Sequence, residues 1–254
     1  MSRDWSVTVK PAFIGSSRAA SVIGGWSLIT ATILFGVVFV YLAVTFDYPG
    51  ILDRPASEVL PRLLSLGVSG RAVWVIYGLI PLLLVPTAIG VDAATRQVAP
   101  RVAQAAVIAA VLSAVTMMVG LLRWPSLQWR LGLAYADASP AARETIAVVF
   151  DAANSFLGNY IGEFLGELFL NVFFLCASVA LARSAGRSRR WLLYAGAAAT
   201  LFGGVAMLRN VTNVVAPIAA ANNTILPIWM LVLGIALVTH RASGEVAGSR
   251  MYTS

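Results

Sequence analysis

Glu163 and Glu167 stand four residues apart in a stretch that is otherwise strongly apolar. A carboxylate in such surroundings needs a cation, a proton or a ligand to offset its lost hydration. The pattern extends beyond the pair, because Asp151, Ser155, Asn159, Glu163, Glu167 and Asn171 recur at every fourth position and all are polar. Residues four apart share a helix face, drifting by about 40° per step. One residue away run Gly158, Gly162 and Gly166, a small-xxx-small seam that lets a neighbouring helix approach closely. This segment therefore reads as a helix with a polar ridge beside a glycine groove, both facing protein.

Three kinds of chemistry suit such a ridge. It can bind a polar head group or small solute, pair with arginines and pin helices at fixed depth, or supply an acid or base. Ser155 and Ser178 have no histidine near them in the chain, so no nucleophile–base pair accompanies the carboxylates. Two glutamates with amides could hold a divalent cation, but facing arginines oppose one. The expectation is therefore no catalytic residue, no metal site and no cofactor.

The elements that must position this ridge follow from composition. Of 254 residues, 59% are apolar and 11% charged, with a mean hydropathy of +0.83. An ordinary soluble domain carries about 25% charged residues, so a disordered, collagenous or soluble nucleic-acid-binding protein is excluded. Cys176 is the lone cysteine and His240 the lone histidine, which removes a disulfide framework, a zinc cluster and a haem pair. The net charge of +7 comes almost wholly from arginines at the ends of apolar runs. That is the arrangement membrane orientation requires, not a nucleic-acid footprint.

At about 20 apolar residues per crossing, six spans are expected: Ser21–Phe46, Ala72–Val91, Val102–Leu122, Phe156–Ala182, Trp191–Asn213 and Thr224–Thr239. The first reads as an uncleaved anchor. The fold class expected is all-α, a six-transmembrane-helix bundle with short interfacial helices in the extracytoplasmic loops. Residues 1–20 and 241–254 read as cytoplasmic tails flanking a transmembrane domain over 21–240. Eleven of the cations fall on the side of the two tails and seven on the other, the cluster Arg183, Arg187, Arg189 and Arg190 being the densest. Both termini are thus expected in the cytoplasm.

Two connections are long. Asp47–Gly70 holds Val59, Leu60, Leu63 and Leu64 at helical spacing and predicts a short interfacial helix. Arg123–Ser155 begins with Trp124 and Trp129, which suit the head-group level, and Ser139-Pro140 caps a further helix. A helix running on from Pro140 to Ala182 would be about 64 Å long, so a bend or break is expected between Asn154 and Gly158. Asn222 and Asn223 read as the turn between the fifth and sixth spans. Pro81 and Pro86, with Pro217 and Pro227, read as kinks.

At about 1.5 Å per residue, Glu167 lies about 24 Å and Glu163 about 30 Å from Arg183. Arg209 lies about 27 Å from Trp191, and Arg123 about 33 Å from Arg101. All four charges fall in one outer layer, where two arginines can neutralise two glutamates. The candidate ligand-binding set is Glu163, Glu167, Arg123, Arg209, Asn159, Asn171, Asn210 and Asn213. Glu167→Gln, being near-isosteric, is the variant expected to fold while losing the ligand. Three functions stay open: binding or moving a small polar or amphiphilic ligand, a structural or regulatory subunit whose cluster only pins helices, and a membrane enzyme using Glu163 or Glu167. The partners expected are the lipid bilayer and such a ligand, with no nucleic acid. A second copy or partner subunit is compatible with the composition.

The runs Gly120-Leu121-Leu122-Arg123-Trp124-Pro125, Tyr135-Ala136-Asp137, Val149-Phe150-Asp151-Ala152-Ala153-Asn154 and Gly162-Glu163-Phe164-Leu165-Gly166 carry a family likeness. The chain resembles the bacterial six-span membrane family catalogued as domain of unknown function 4386, from the first span to the sixth. Some relatives carry histidine where this chain has Phe164, a departure that counts against a histidine-dependent role here. The resemblance implies a bacterial inner-membrane protein and supplies no substrate.

Overall fold

The computed structural model describes residues 13–184 and 189–240. Arg3, Lys10, Arg187, Arg241 and Arg250 lie outside them. The described residues are almost wholly helical and include six helices long and apolar enough to cross a membrane. The fold is an all-α membrane bundle.

Helix α1 spans Phe13–Phe46; α2, Ala56–Ser65; α3, Gly67–Leu79; α4, Leu84–Thr95; and α5, Pro100–Leu122. Then follow α6 (Trp129–Ala136), α7 (Pro140–Ala153), α8 (Gly166–Ser184), α9 (Trp191–Ala206) and α10 (Ala216–Val238). Gly67, at φ +62°, takes the left-handed turn that separates α2 from α3. Pro81 sits in a 3₁₀ turn, Ile80–Leu83, which joins α3 to α4 within one span. Ser139 accepts a hydrogen bond from the Ala142 amide (3.4 Å) and so caps α7, as Ser139-Pro140 predicts.

The third and fourth spans outrun a bilayer. Pro100–Ala136 has 37 residues and Pro140–Ser184 has 45, about 55 and 67 Å of helix against a hydrocarbon core of about 30 Å. Their far ends fold with α2 and the end of α1 into a second hydrophobic core, distinct from the one between the spans. We call this the broad end. The expected helix over 47–70 is α2, and it buries Ala56, Val59, Leu60 and Leu63.

Three local expectations are corrected. Trp124 and Trp129 are buried, not spread along a head-group belt. A π-helical turn, Trp124–Gln128, continues α5 into α6, and Trp124 stacks on Trp74 at 5.0 Å with Phe46 edge-on at 5.6 Å. The bend or break expected between Asn154 and Gly158 is not a break, because a π-helical run, Asn154–Leu165, joins α7 to α8 without interruption. Asn222 and Asn223 lie inside α10, because Pro217 starts that helix earlier. The turn is at 211–215, where Thr212 accepts from the Val214 amide at 3.3 Å.

The glycine seam on the fourth span does face neighbours. A Cβ on Gly162 would meet Gly120 Cα of α5 at 2.8 Å, so the two backbones touch. Gly166 packs against Met117, and Gly158 accommodates the guanidinium of Arg123.

Candidate functional site

The site is built from the π-helical run, the start of α8 and the end of α9. Arg209 sits in the 3₁₀ turn Met207–Asn210 that finishes the fifth span. Its Nη1 donates to Glu167 Oε2 at 2.8 Å and its Nη2 to Glu167 Oε1 at 2.6 Å, a bidentate pair. The same Nη2 donates to Glu163 Oε2 at 2.9 Å, and Nη1 also reaches the Ala206 carbonyl at 3.3 Å. One guanidinium therefore bridges both carboxylates and ties the fourth span to the fifth.

Arg123 takes a different place from the one the depth arithmetic suggests. It forms no ion pair with either glutamate among the described residues. Its Nε and Nη2 donate to Asn154 Oδ1 at 3.2 and 2.9 Å, its Nη1 to the Gly120 carbonyl at 2.5 Å, and its guanidinium lies 4.9 Å from the Trp124 ring centroid. Asn154 Nδ2 in turn donates to the Leu52 carbonyl at 3.2 Å. The charge of Arg123 still acts on Glu163 through space. Arg123, Arg209, Glu163 and Glu167 together carry no net charge.

The amides disperse. Asn159 is half-buried and Asn171 buried, the latter packed against Gly203 of α9 a turn beyond Glu167. Asn210 donates to the Met207 carbonyl at 3.2 Å, so it braces its own turn. Asn213 is exposed and stands apart from the carboxylates' hydrogen bonds. Along the ridge, Asp151 and Ser155 are exposed, Asn159, Glu163 and Glu167 half-buried, and Asn171 buried. The fourfold pattern is therefore a polar path that descends into the bundle.

Sequence reasoning missed the two tyrosines beside the site. Tyr48 and Tyr77 approach hydroxyl to hydroxyl at 3.3 Å, and both sense the charge of Glu163. Burial raises the Tyr48 hydroxyl above its ordinary range, only partly offset by the hydrogen bond to Tyr77, so it stays a neutral donor at physiological pH. A tyrosine in an apolar run gives no periodic signal. Its usefulness as a polar handle emerges only once a partner is in reach.

The three charged side chains are not sealed. Arg209 and Glu163 each keep 29% of their side-chain surface exposed, and Glu167 keeps 16%. Close by in the chain, Phe156, Tyr160, Leu208 and Val211 present exposed apolar surface. Glu163 Oε1 and Arg209 Nε make no hydrogen bond among the described residues. The site offers one free acceptor and one free donor.

A family model described as Domain of unknown function (DUF4386) matches residues 23–234, a range that takes in every charged member of the cluster. No curated protein and no solved structure matches the chain.

Proposed function

The chain belongs to the DUF4386 family, and we propose that it is a non-enzymatic membrane receptor or carrier for an amphiphile with a zwitterionic or neutral polar head. The observation that carries this reading is the incomplete pairing at Glu163 and Arg209. A head group that donates to Glu163 Oε1 and accepts from Arg209 Nε–H would complete both groups without adding net charge to a neutral cluster. Its chain would lie along Phe156, Tyr160 and Leu208, which are partly or largely exposed. The glutamates then divide the work. Glu167, held at both oxygens, is the clamp, and Glu163, held at one, is the ligand arm.

This division moves the informative variant from Glu167 to Glu163. Lysophosphatidylethanolamine, an amine-headed zwitterion with one chain, is a suitable probe in a thermal-shift titration of the detergent-purified protein. The wild type should be stabilised by it, and Glu163→Gln should melt close to the wild type but lose that stabilisation. Glu167→Gln should melt earlier on its own, since it breaks a bidentate pair. A Glu163→Gln protein that responds to the probe like wild type would show that the carboxylate is not the ligand arm.

A purely structural cluster is the second reading, and the bidentate Arg209–Glu167 pair favours it. It expects no response to the probe in any variant. Localisation in a bacterial inner membrane with both termini cytoplasmic is also part of the proposal, supported by the arginine asymmetry between loops. Reporter fusions after Arg187 and after Ser254 should both read cytoplasmic. A periplasmic signal at either position reverses the topology and turns the broad end toward the cytoplasm.

A further inference from the structure

We infer that a second site, between α3 and the π turn after α5, holds one anionic phospholipid of the surrounding bilayer, with its phosphate on Arg71 and Arg130 and a chain in the groove below. An open groove of about 500 Å³ is lined there by Val68, Arg71, Ala72, Val75, Leu122 and Pro125, with Ser126 at its edge. The lining is apolar apart from Arg71 and Ser126, as a hydrocarbon chain requires.

The cations at this groove set its occupant. Arg71 Nε donates to the Pro125 carbonyl at 2.9 Å, and its guanidinium lies 5.2 Å from the Trp129 ring centroid. Those contacts fix the plane of the guanidinium and leave both η nitrogens without a partner among the described residues. Arg130 is exposed and lies in the first turn of α6, just after that π turn and four residues on from Ser126. Neither arginine forms an ion pair among the described residues, whereas Arg54 at the same end pairs with Asp47 at 2.9 Å and Glu58 at 3.4 Å. The uncompensated guanidinium of Arg71 over an apolar groove, with exposed Arg130 close by in the chain, complements an acidic head on an acyl chain.

Depth agrees with that assignment. Arg71 lies about 37 Å along its span from Arg96. With Arg96 at one surface, Arg71 reaches past a hydrocarbon core of about 30 Å to the opposite head-group layer. Val68 and Val75 are exposed on the lateral surface, so the groove opens toward lipid. This site is separate from Glu163 and Arg209 and does not depend on what binds there.

The test is lipid retention. The full chain is reconstituted in nanodiscs holding equal amounts of phosphatidylglycerol and phosphatidylcholine, extracted in mild detergent and weighed by native mass spectrometry. The wild type should retain phosphatidylglycerol over phosphatidylcholine by about thirtyfold, the scale expected for two arginines at a head group. Arg71→Gln with Arg130→Gln should bring the ratio to about one. Val75→Trp, which fills the groove and leaves both arginines, should also reduce it. The same double variant should keep its response to lysophosphatidylethanolamine, separating this site from the one at Glu163.

Equal retention of the two lipids by the wild type overturns the proposal. So does a preference that survives the double arginine substitution. A preference untouched by Val75→Trp reduces the effect to diffuse surface charge and removes the groove as a site. If mass photometry shows that Val75→Trp dissolves a dimer while the lipid preference stays, the groove's occupant is a second copy and the lipid assignment fails. Should the double variant not fold, Val75→Trp decides alone.

Discussion

Arg209→Ala should cost about 3 kcal/mol of stability, because it leaves two carboxylates in the bundle with no cation in contact. In a thermal-shift series on the detergent-purified protein, that corresponds to a melting temperature lower by about 10 °C. The size of the effect comes from geometry. One guanidinium makes the bidentate pair to Glu167 and also the bond to Glu163, so a single truncation breaks three charged hydrogen bonds. Arg54→Ala is the control. It removes pairs to Asp47 and Glu58 whose side chains are about half exposed, and solvent-exposed pairs contribute about 0–1 kcal/mol. Equal shifts for the two variants would mean that Arg209 is solvated in the native protein and that the cluster does not join the fourth span to the fifth.

Gly162→Ala should have the second large effect, a loss of about 2 kcal/mol or more, although it adds one methyl to a helix. Its new Cβ would lie 2.8 Å from Gly120 Cα and 3.2 Å from the Leu157 carbonyl oxygen. Those atoms belong to backbone and cannot rotate aside, so α5 must move off the fourth span. Gly204→Ala, in α9, meets nothing within 4 Å. It should be neutral or raise stability by up to about 1 kcal/mol, the ordinary helix gain over glycine. The contrast is readable in melting temperature alone. Function should follow, since Glu163 is the next residue in the chain and Arg123 lies three residues beyond Gly120. Gly162→Ala should therefore also blunt the response to lysophosphatidylethanolamine, which Gly204→Ala should leave intact. A Gly162→Ala protein as stable as Gly204→Ala would show that the two spans are not in backbone contact.

Several features were legible in the amino-acid sequence, and for one reason. Hydropathy, glycine spacing and capping chemistry are properties of neighbours in the chain. The six apolar runs gave the spans, the Gly158–Gly162–Gly166 spacing gave the seam, and Ser139-Pro140 gave the start of α7. The rise of a helix is constant, so counting residues from the ends placed Arg209 level with Glu163 and Glu167, and the three do meet. Depth along a helix is a one-dimensional quantity that sequence carries well.

Azimuth is not. Arg123 is at a similar depth, yet its guanidinium turns to Asn154 and the Gly120 carbonyl, because Gly158 leaves room for it beside α5, just ahead of the π turn at Trp124. The same turn carries Trp124 and Trp129 into a core shared with Trp74 and Phe46. Tyr48 and Tyr77, 29 residues apart in the chain, come together only because α1 and α3 converge at the broad end. Composition and periodicity alone determined that this is a six-span helical membrane protein with two carboxylates within one turn of each other on the fourth span. Only the tertiary structure decided which cation holds them, which oxygen is left free and which aromatics stand beside it. Those outcomes depend on helix rotation and on contacts between distant segments, and a π-helical turn of a few residues resets both without leaving a mark in local hydropathy.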